Sequence, residues 1–446
     1  MIEVKGKSVE NIVNGGTVDA MIKSNGKPAG DSMNDGTVDS MIEVKGKSAG
    51  NCQEQWNQGV KEARVRKDDQ GVNDTRVRRD DRERTDSKRS VPQFGWKNKN
   101  VMVTGATGLI GQAVVRRLVS LGAHVTAVVR EAQRGRDLFA DLAEMDGKIS
   151  FVVCDITKLP ILGVKVDYII HGAACTSSKA FVQDPVGVAM TSISGTTRVL
   201  ELARISHAKG LVYLSSMEVY GTPAYDSLID ELHATNLNTM RARSSYPESK
   251  RMCECLCASY CSQYGVPAKV LRLAQTFGPG VRYEDGRVFA EFARCVIEGR
   301  DIVLHTQGET MRSYLYTEDA AEAILKVLMD GKPGEAYNAA NEETYCSIYD
   351  MAQMVAKEYG QGKTRVLIEG QEDYFASESG TGGNNGSGSS DVIRKYGYVS
   401  VMYMNLDTRK LRALGWQPTV GLKEMYGRLI KDMAGKRQVV NKAGSE

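Results

Sequence analysis

Two short stretches of this 446-residue chain carry side chains that could do chemistry together. "YPESK" places Tyr246 and Lys250 four residues apart, on one face of a helix whose first turn suits Pro247. An ammonium beside a phenol favours the phenolate, so the pair can take a proton from a hydroxyl while hydride leaves the same carbon. Tyr359 and Lys363 share the spacing, but the two glycines of "YGQGK" argue against a helix there. "SSMEVYG" follows the apolar run "GLVYL" and sets the hydroxyl of Ser216 and the carboxylate of Glu218 around Met217, which has no proton to give. A buried strand ending in serines opens onto the crevice where α/β proteins bind ligands. The competing reading is a strand end whose serines bond local backbone and whose Glu218 faces solvent.

An alternating architecture must hold these groups. "NVMVT", "HVTAVVR", "ISFVVCD", "VDYIIHGAA" and "KGLVYLSS" read as strands, with helical periodicity between them, as in "LIGQAVVRRLVSLG". That order predicts an α/β fold, a doubly wound parallel sheet of Rossmann type. "TGATGLIG" lies between the first strand and first helix, with Gly105, Gly108 and Gly111 at three-residue steps. Glycines so placed let a backbone turn approach a pyrophosphate at a helix N-terminus, with Thr107, Leu109 and Ile110 in the same turn. The second strand ends in Arg130 rather than an acid, which suits the 2′-phosphate of NADP, or else stacking on adenine. The cofactor expected is therefore NAD or NADP.

Composition sets the outer bounds. Lys plus Arg number 58 against 55 Asp plus Glu, which offers nothing for nucleic acid or an anionic membrane. The apolar runs are strand-sized, so no membrane span is expected, and a cytoplasmic location is the default. Nine cysteines without regular loop spacing point to reduced thiols. Cys253, Cys257 and Cys261 line one helix face at four-residue steps, a spacing that converges too little for a metal, and no metal site is expected. Residues 1–95 differ from the rest: "MIEVKGKS" recurs at Met1 and Met41, "NGGTVDA" at Asn14 returns as "NDGTVDS" at Asn34, and a charge-dense run follows. This low-complexity arm is expected to be disordered, with a hairpin array as the alternative. Residues 96–274 form the expected dinucleotide domain and 275–438 a smaller α/β substrate region interleaved with the last sheet strands. A Gly/Ser-rich insertion spans Ser377 to Ser390.

In order, "TGATGLIG", "HGAA", "SSMEVYG", "YPESKR", "TFGPG" and "RSYLYTEDAAEA" resemble the extended short-chain dehydrogenase/reductase family of nucleotide-sugar epimerases, dehydratases and decarboxylases. The resemblance runs from Asn98 to the C-terminal helix. It implies catalysis through Ser216, Glu218, Tyr246 and Lys250, a tightly bound nicotinamide cofactor lined by Asp155, Ile156, His171, Gly172 and Ala173, and substrate contacts from Gln275, Arg287 and Arg312. It also implies a homodimer built on the helix near Val186 to Ser206 and the one carrying the cysteines. The chain departs from the family with Ser192 and Gln275 where Asn is common. Met217 replaces the acid of dehydratases, and a lone Glu218 with Arg312 resembles the UDP-glucuronate decarboxylase arm. Gly280 and Glu291 depart from that arm. Decarboxylation after transient C4 oxidation leads, with 4,6-dehydration or 4-epimerisation behind it and a non-catalytic NAD(P)-binding scaffold as the rival of another class.

Overall fold

The structure, a computed structural model, describes residues 95–142, 148–160, 165–223, 225–369 and 401–443, together with the backbone of a small hairpin pairing Ile12–Val13 with Gly16–Thr17. The rest of the N-terminal arm and the Gly/Ser-rich insertion lie outside the described residues.

Seven parallel strands form the main sheet. In chain order they are β1 (Asn100–Thr104), β2 (His124–Val129), β3 (Ile149–Val153), β4 (Tyr168–His171), β5 (Gly210–Ser216), β7 (Ala268–Leu273) and β11 (Ala336–Ala339). The short β6 (Leu228–Ile229) belongs to a second sheet. Across the main sheet the order is β3-β2-β1-β4-β5-β7-β11. All five strands read from sequence are present. β5 is buried at six of its seven positions, as expected of a strand covered on both faces. Helices α1 (Leu109–Ser120), α2 (Ala132–Leu138), α3 (Ser178–Gln183), α4 (Pro185–Ile205) and α5 (Ser245–Tyr264) connect the strands. Asp184 caps α4 by accepting from the Gly187 amide at 3.0 Å, and Pro185 occupies its first turn, where a missing N–H costs nothing.

The second sheet is built on β8 (Gln275–Phe277), β10 (Met311–Tyr316), β12 (Asn341–Ser347) and β14 (Tyr403–Leu406), with β6 recruited from the preceding stretch of chain. Two further strands, β9 (Ile302–Leu304) and β13 (Val366–Ile368), pair in parallel. Helices α6 (Val288–Glu298), α7 (Thr317–Asp330), α8 (Ile348–Tyr359), α9 (Arg409–Ala413) and α10 (Leu422–Ala443) complete the fold. A separate core gathers under this region, where Phe277 stacks on Phe289 at 4.6 Å and meets Tyr314 and Tyr426 edge-on. Because β1, β4 and β5 are neighbours or near neighbours and all point the same way, the residues that follow them meet at one edge of the sheet.

Candidate active site

The glycine turn after β1 is packed too closely for side chains. A Cβ on Gly105, whose φ is +71°, would lie 2.7 Å from the Gly172 carbonyl, and one on Gly111 would lie 2.2 Å from the Gly105 oxygen. α1 starts after Gly108 with no acidic residue in its first turn and no side-chain cap, so its leading N–H groups are available to an anion. This cradle fits a pyrophosphate. Thr107, Leu109 and Ile110 lie in the turn and the first helical positions, as expected.

Behind the turn, His171 is fully buried at the end of β4, hydrogen-bonded to Thr104 Oγ1 at 2.7 Å and to Thr196 Oγ1 at 3.1 Å. Thr104 Oγ1 also accepts from the Ala173 amide at 3.2 Å, so the ring ties the ends of β1 and β4 to α4. Burial, with Lys250 adding to it, pushes the imidazole down to about 3 and keeps it neutral. His171 therefore fixes the loop of Gly172 and Ala173 rather than titrating near neutral pH. On the adenosine side, Asp155 holds its carboxylate on Thr157, accepting from the amide at 2.8 Å and the hydroxyl at 2.6 Å. Those bonds, more than the nearby Arg130 charge, keep the carboxyl below its usual range. Ile156 is buried next to it, and Arg130 is exposed at the end of β2.

The expected acid–base groups converge. Ser216 ends β5 and accepts the Glu218 amide at 3.2 Å, so the hydroxyl caps the turn that carries the carboxylate. Tyr246 and Lys250 share the buried face of α5. Lys250 Nζ donates to the Leu214 carbonyl at 2.6 Å and sits 5.9 Å from the centre of the Tyr246 ring. Burial lowers the ammonium to about 8. The phenol behaves differently from the sequence expectation. Burial raises Tyr246 above its ordinary value and the Glu218 charge adds to this, while a hydrogen bond to Ser216 and the Arg243 charge work in the opposite direction. In the protein alone desolvation outweighs the Ser216 hydrogen bond and the Arg243 charge, so the phenol keeps its proton near neutral pH.

Three partners of this site were not legible as such. Arg243, three residues before Tyr246, donates to Glu218 at 3.0 Å. Its guanidinium lies 4.7 Å over the Phe181 ring, and Phe181 in turn stacks on Tyr246 at 4.3 Å. The third is a brace behind the site. Arg272 on β7 pairs with Glu254 of α5 at 2.7 Å and donates to Tyr220 OH at 2.9 Å, while Ser215 donates to Glu254 at 2.5 Å. One arginine so joins the strand end, the Glu218 turn and the Tyr246 helix. The only advance signal was "RARSSYPESK", an arginine near a tyrosine base, which spacing alone does not interpret.

Of the substrate candidates, Gln275 and Arg312 come together, Arg312 donating to Gln275 Oε1 at 3.2 Å. Arg312 Nε is buried without a hydrogen-bond partner among the described residues, a donor that awaits an acceptor. Arg287 sits apart at the start of α6, held on Asp285 at 2.6 Å and over Phe289. Of the departures, Glu291 pairs with Arg294 and Arg300, Gly280 takes a φ of +97° and donates to Asp432, and Ser192 donates to Val188 O. Cys253 and Cys257 are buried in the core, and the eight described cysteines are free thiols. Among the described residues no three His, Cys, Asp or Glu groups are placed to hold a metal, and no helix is long and apolar enough to cross a membrane.

A Rossmann sheet with a glycine cradle and a Tyr–Lys pair beside its open end defines a nicotinamide-dependent enzyme of the short-chain dehydrogenase type. The chain belongs to the NAD dependent epimerase/dehydratase family, whose model matches residues 101–340. It is 29% identical to UDP-glucuronic acid decarboxylase 1 of Xenopus tropicalis over 334 residues, covering 74% of this chain and 71% of the relative. It is 28% identical to UDP-N-acetyl-alpha-D-glucosaminuronate decarboxylase of Bacillus cytotoxicus over 263 residues, 57% of this chain and 78% of the relative. The fold matches UDP-glucuronic acid 4-epimerase from Bacillus cereus in complex with NAD, with a TM-score of 0.60, 19% identity, and coverage of 76% of this chain and 99% of that one.

Proposed function

We propose that this enzyme acts on a nucleotide sugar by transient oxidation at C4 and, as UDP-glucuronate decarboxylases do, releases carbon dioxide from a uronic acid. The observation that carries the reading is the meeting of Ser216, Glu218, Tyr246 and Lys250 at one strand end, with a carboxylate beside the phenol and no acid at Met217. Tyr246 takes the proton of the C4 hydroxyl, Ser216 orients that hydroxyl, and Lys250 supplies positive charge behind the phenol. A nicotinamide cofactor held at the turn of Gly105, Gly108 and Gly111 would supply the hydride acceptor for C4 and the donor that restores it. With a ketone at C4, the C5–C6 bond breaks, carbon dioxide leaves, and the electron pair spreads into the ketone oxygen. A proton must then reach C5, and Glu218 is the carboxyl group placed to manage it. Gln275 and Arg312 face the substrate's anionic part, and Arg287 supports the segment before α6.

Two coarser features accompany this reading. Val186 and Met190 on α4 and Met252 on α5 are each about half exposed or more, an apolar stripe on two packed helices that suits a homodimer. Free thiols suit a reducing compartment such as the cytoplasm. The purified enzyme, given a panel of nucleotide sugars and followed by mass spectrometry, should convert UDP-glucuronate with loss of carbon dioxide. Loss of water would assign a 4,6-dehydratase, conversion without mass change a 4-epimerase, and no turnover of any sugar a binding scaffold.

A further inference from the structure

A second cavity, of about 330 Å³, opens between α5, β7 and the segment that follows β5. None of Ser216, Glu218, Tyr246, Lys250, Gln275 or Arg312 lines it, nor does the glycine turn. Arg272, Glu254 and Tyr220 do, so the brace behind the active site is also a wall of this cavity. The acids of the cavity are engaged. Glu254 holds Arg272 with both oxygens and accepts from the Ser215 hydroxyl, and Glu231 accepts from the Asn338 amide at 2.8 Å. The donors are not. Arg251 pairs only with Glu248 among the described residues, one turn back on the same helix at 3.3 Å, and its side chain is 41% exposed. Such an exposed pair holds its arginine weakly. The His233 ring lies edge-on to Tyr220 at 6.3 Å and makes no side-chain hydrogen bond among the described residues. Val219, Val270, Ala258 and Ala336 add an apolar wall.

We propose that this cavity is a second ligand site, separate from the cofactor and sugar sites, and that it takes a small organic carboxylate. The unspent groups decide the charge. A guanidinium offers a planar fork of donors matched to a carboxylate, and an imidazole N–H adds one more, whereas a cationic ligand would find the nearby carboxylates already committed. Arg272 cannot be the anchor, because its N–H groups go to Glu254, Tyr220 OH and the Glu231 carbonyl; Arg251 and His233 can. The valine and alanine wall then receives a short hydrocarbon body. The volume stands at the small end of the roughly 300–1,000 Å³ usual for ligand pockets, which suits a compact acid and not a second nucleotide sugar.

Calorimetric titration of the full chain, loaded with NAD⁺, tests this with acetate, isovalerate and benzoate as probes and isovaleramide and benzamide as their neutral counterparts. At least one of the larger acids should bind saturably at one site, and its amide roughly tenfold more weakly or not at all. Arg251→Met should weaken the acid by roughly tenfold, the loss of a charge-assisted contact, and leave NAD⁺ affinity within about twofold. Ala258→Trp, which places an indole in the cavity, should abolish acid binding with the same small effect on NAD⁺. Arg251→Lys, which keeps the charge without the fork, should fall between and remains informative if the other variants do not fold. Acid and amide binding equally would make the cavity a mere apolar cleft. Binding that survives Arg251→Met and Ala258→Trp but is lost in Arg312→Met would place the acid in the sugar site. Either result, or no saturable binding of any probe acid, overturns the proposal.

Discussion

At the scale of single residues, the chemistry was legible where it depended on type and local spacing, and hidden where it depended on contacts across the chain. Tyr246 and Lys250 sit four apart on one helix, and Ser216 and Glu218 on one turn, so a sequence can display them. Phe181 and Arg243 lie far apart in sequence and meet only because α3 and the Ala242–Ser244 turn pack together. The sign of the Tyr246 shift was also out of reach, since it follows from burial and the Glu218 charge, which four-residue spacing does not display. In the proposed reaction these residues serve separable steps. Tyr246→Phe should abolish the absorbance of reduced nicotinamide on adding substrate. Glu218→Gln should keep that absorbance and slow product release by roughly 10²–10⁴-fold, the usual cost of removing a positioned acid or base. Normal turnover by Glu218→Gln would return Glu218 to the solvated strand end of the simpler reading. Arg130, exposed at the end of β2, should contribute to NADP and not to NAD, because only NADP presents a 2′-phosphate. Dissociation constants for the two cofactors with Arg130→Ala check this, and equal losses would refute it.

At the scale of elements, the strands and first helix followed from apolar runs and the glycine turn, because parallel strands buried on both faces leave continuous hydrophobic segments. What the pattern lacked was the polar framework that fixes strand ends to one another. The His171 clamp is one such device, joining β1, β4 and α4 through two threonines. Its folded value of about 3 lies below the ordinary 6.5, so between these values the unfolded chain binds a proton that the folded one refuses. Stability should therefore be full above pH 6.5 and fall as pH drops toward 3. His171→Asn should lower the melting temperature at pH 7.5 and flatten its dependence on pH below 6.5; an unchanged slope would mean the imidazole is not buried neutral. Lys250 works in the same direction in a higher window. Its ammonium is held down to about 8 against 10.5, so the cost of burying it is complete below pH 8 and is relieved between 8 and 10.5. The stability advantage of Lys250→Met over the parent, measured by chemical denaturation without cofactor, should shrink as pH rises through that range. An advantage that grows would contradict the burial.

At the scale of the whole molecule, the alternation of strand and helix announced the first sheet, whereas the second sheet is assembled from pieces distant in sequence. Leu228–Ile229 pairs with Asn405–Leu406, a register no local pattern specifies. The stripe of Val186, Met190 and Met252 belongs to this scale as well. Light scattering should give twice the chain mass, and Val186→Glu with Met190→Glu should halve it, since charges on an apolar interface oppose burial. The central claim, oxidation at C4 with return of the same hydride, is tested most directly with UDP-glucuronate deuterated at C4. Mass spectrometry of the product should show carbon dioxide lost and the deuterium retained, because the hydride leaves and returns within one active site. Product that has lost its deuterium to free cofactor, or sugar that passes through unchanged, would contradict the account.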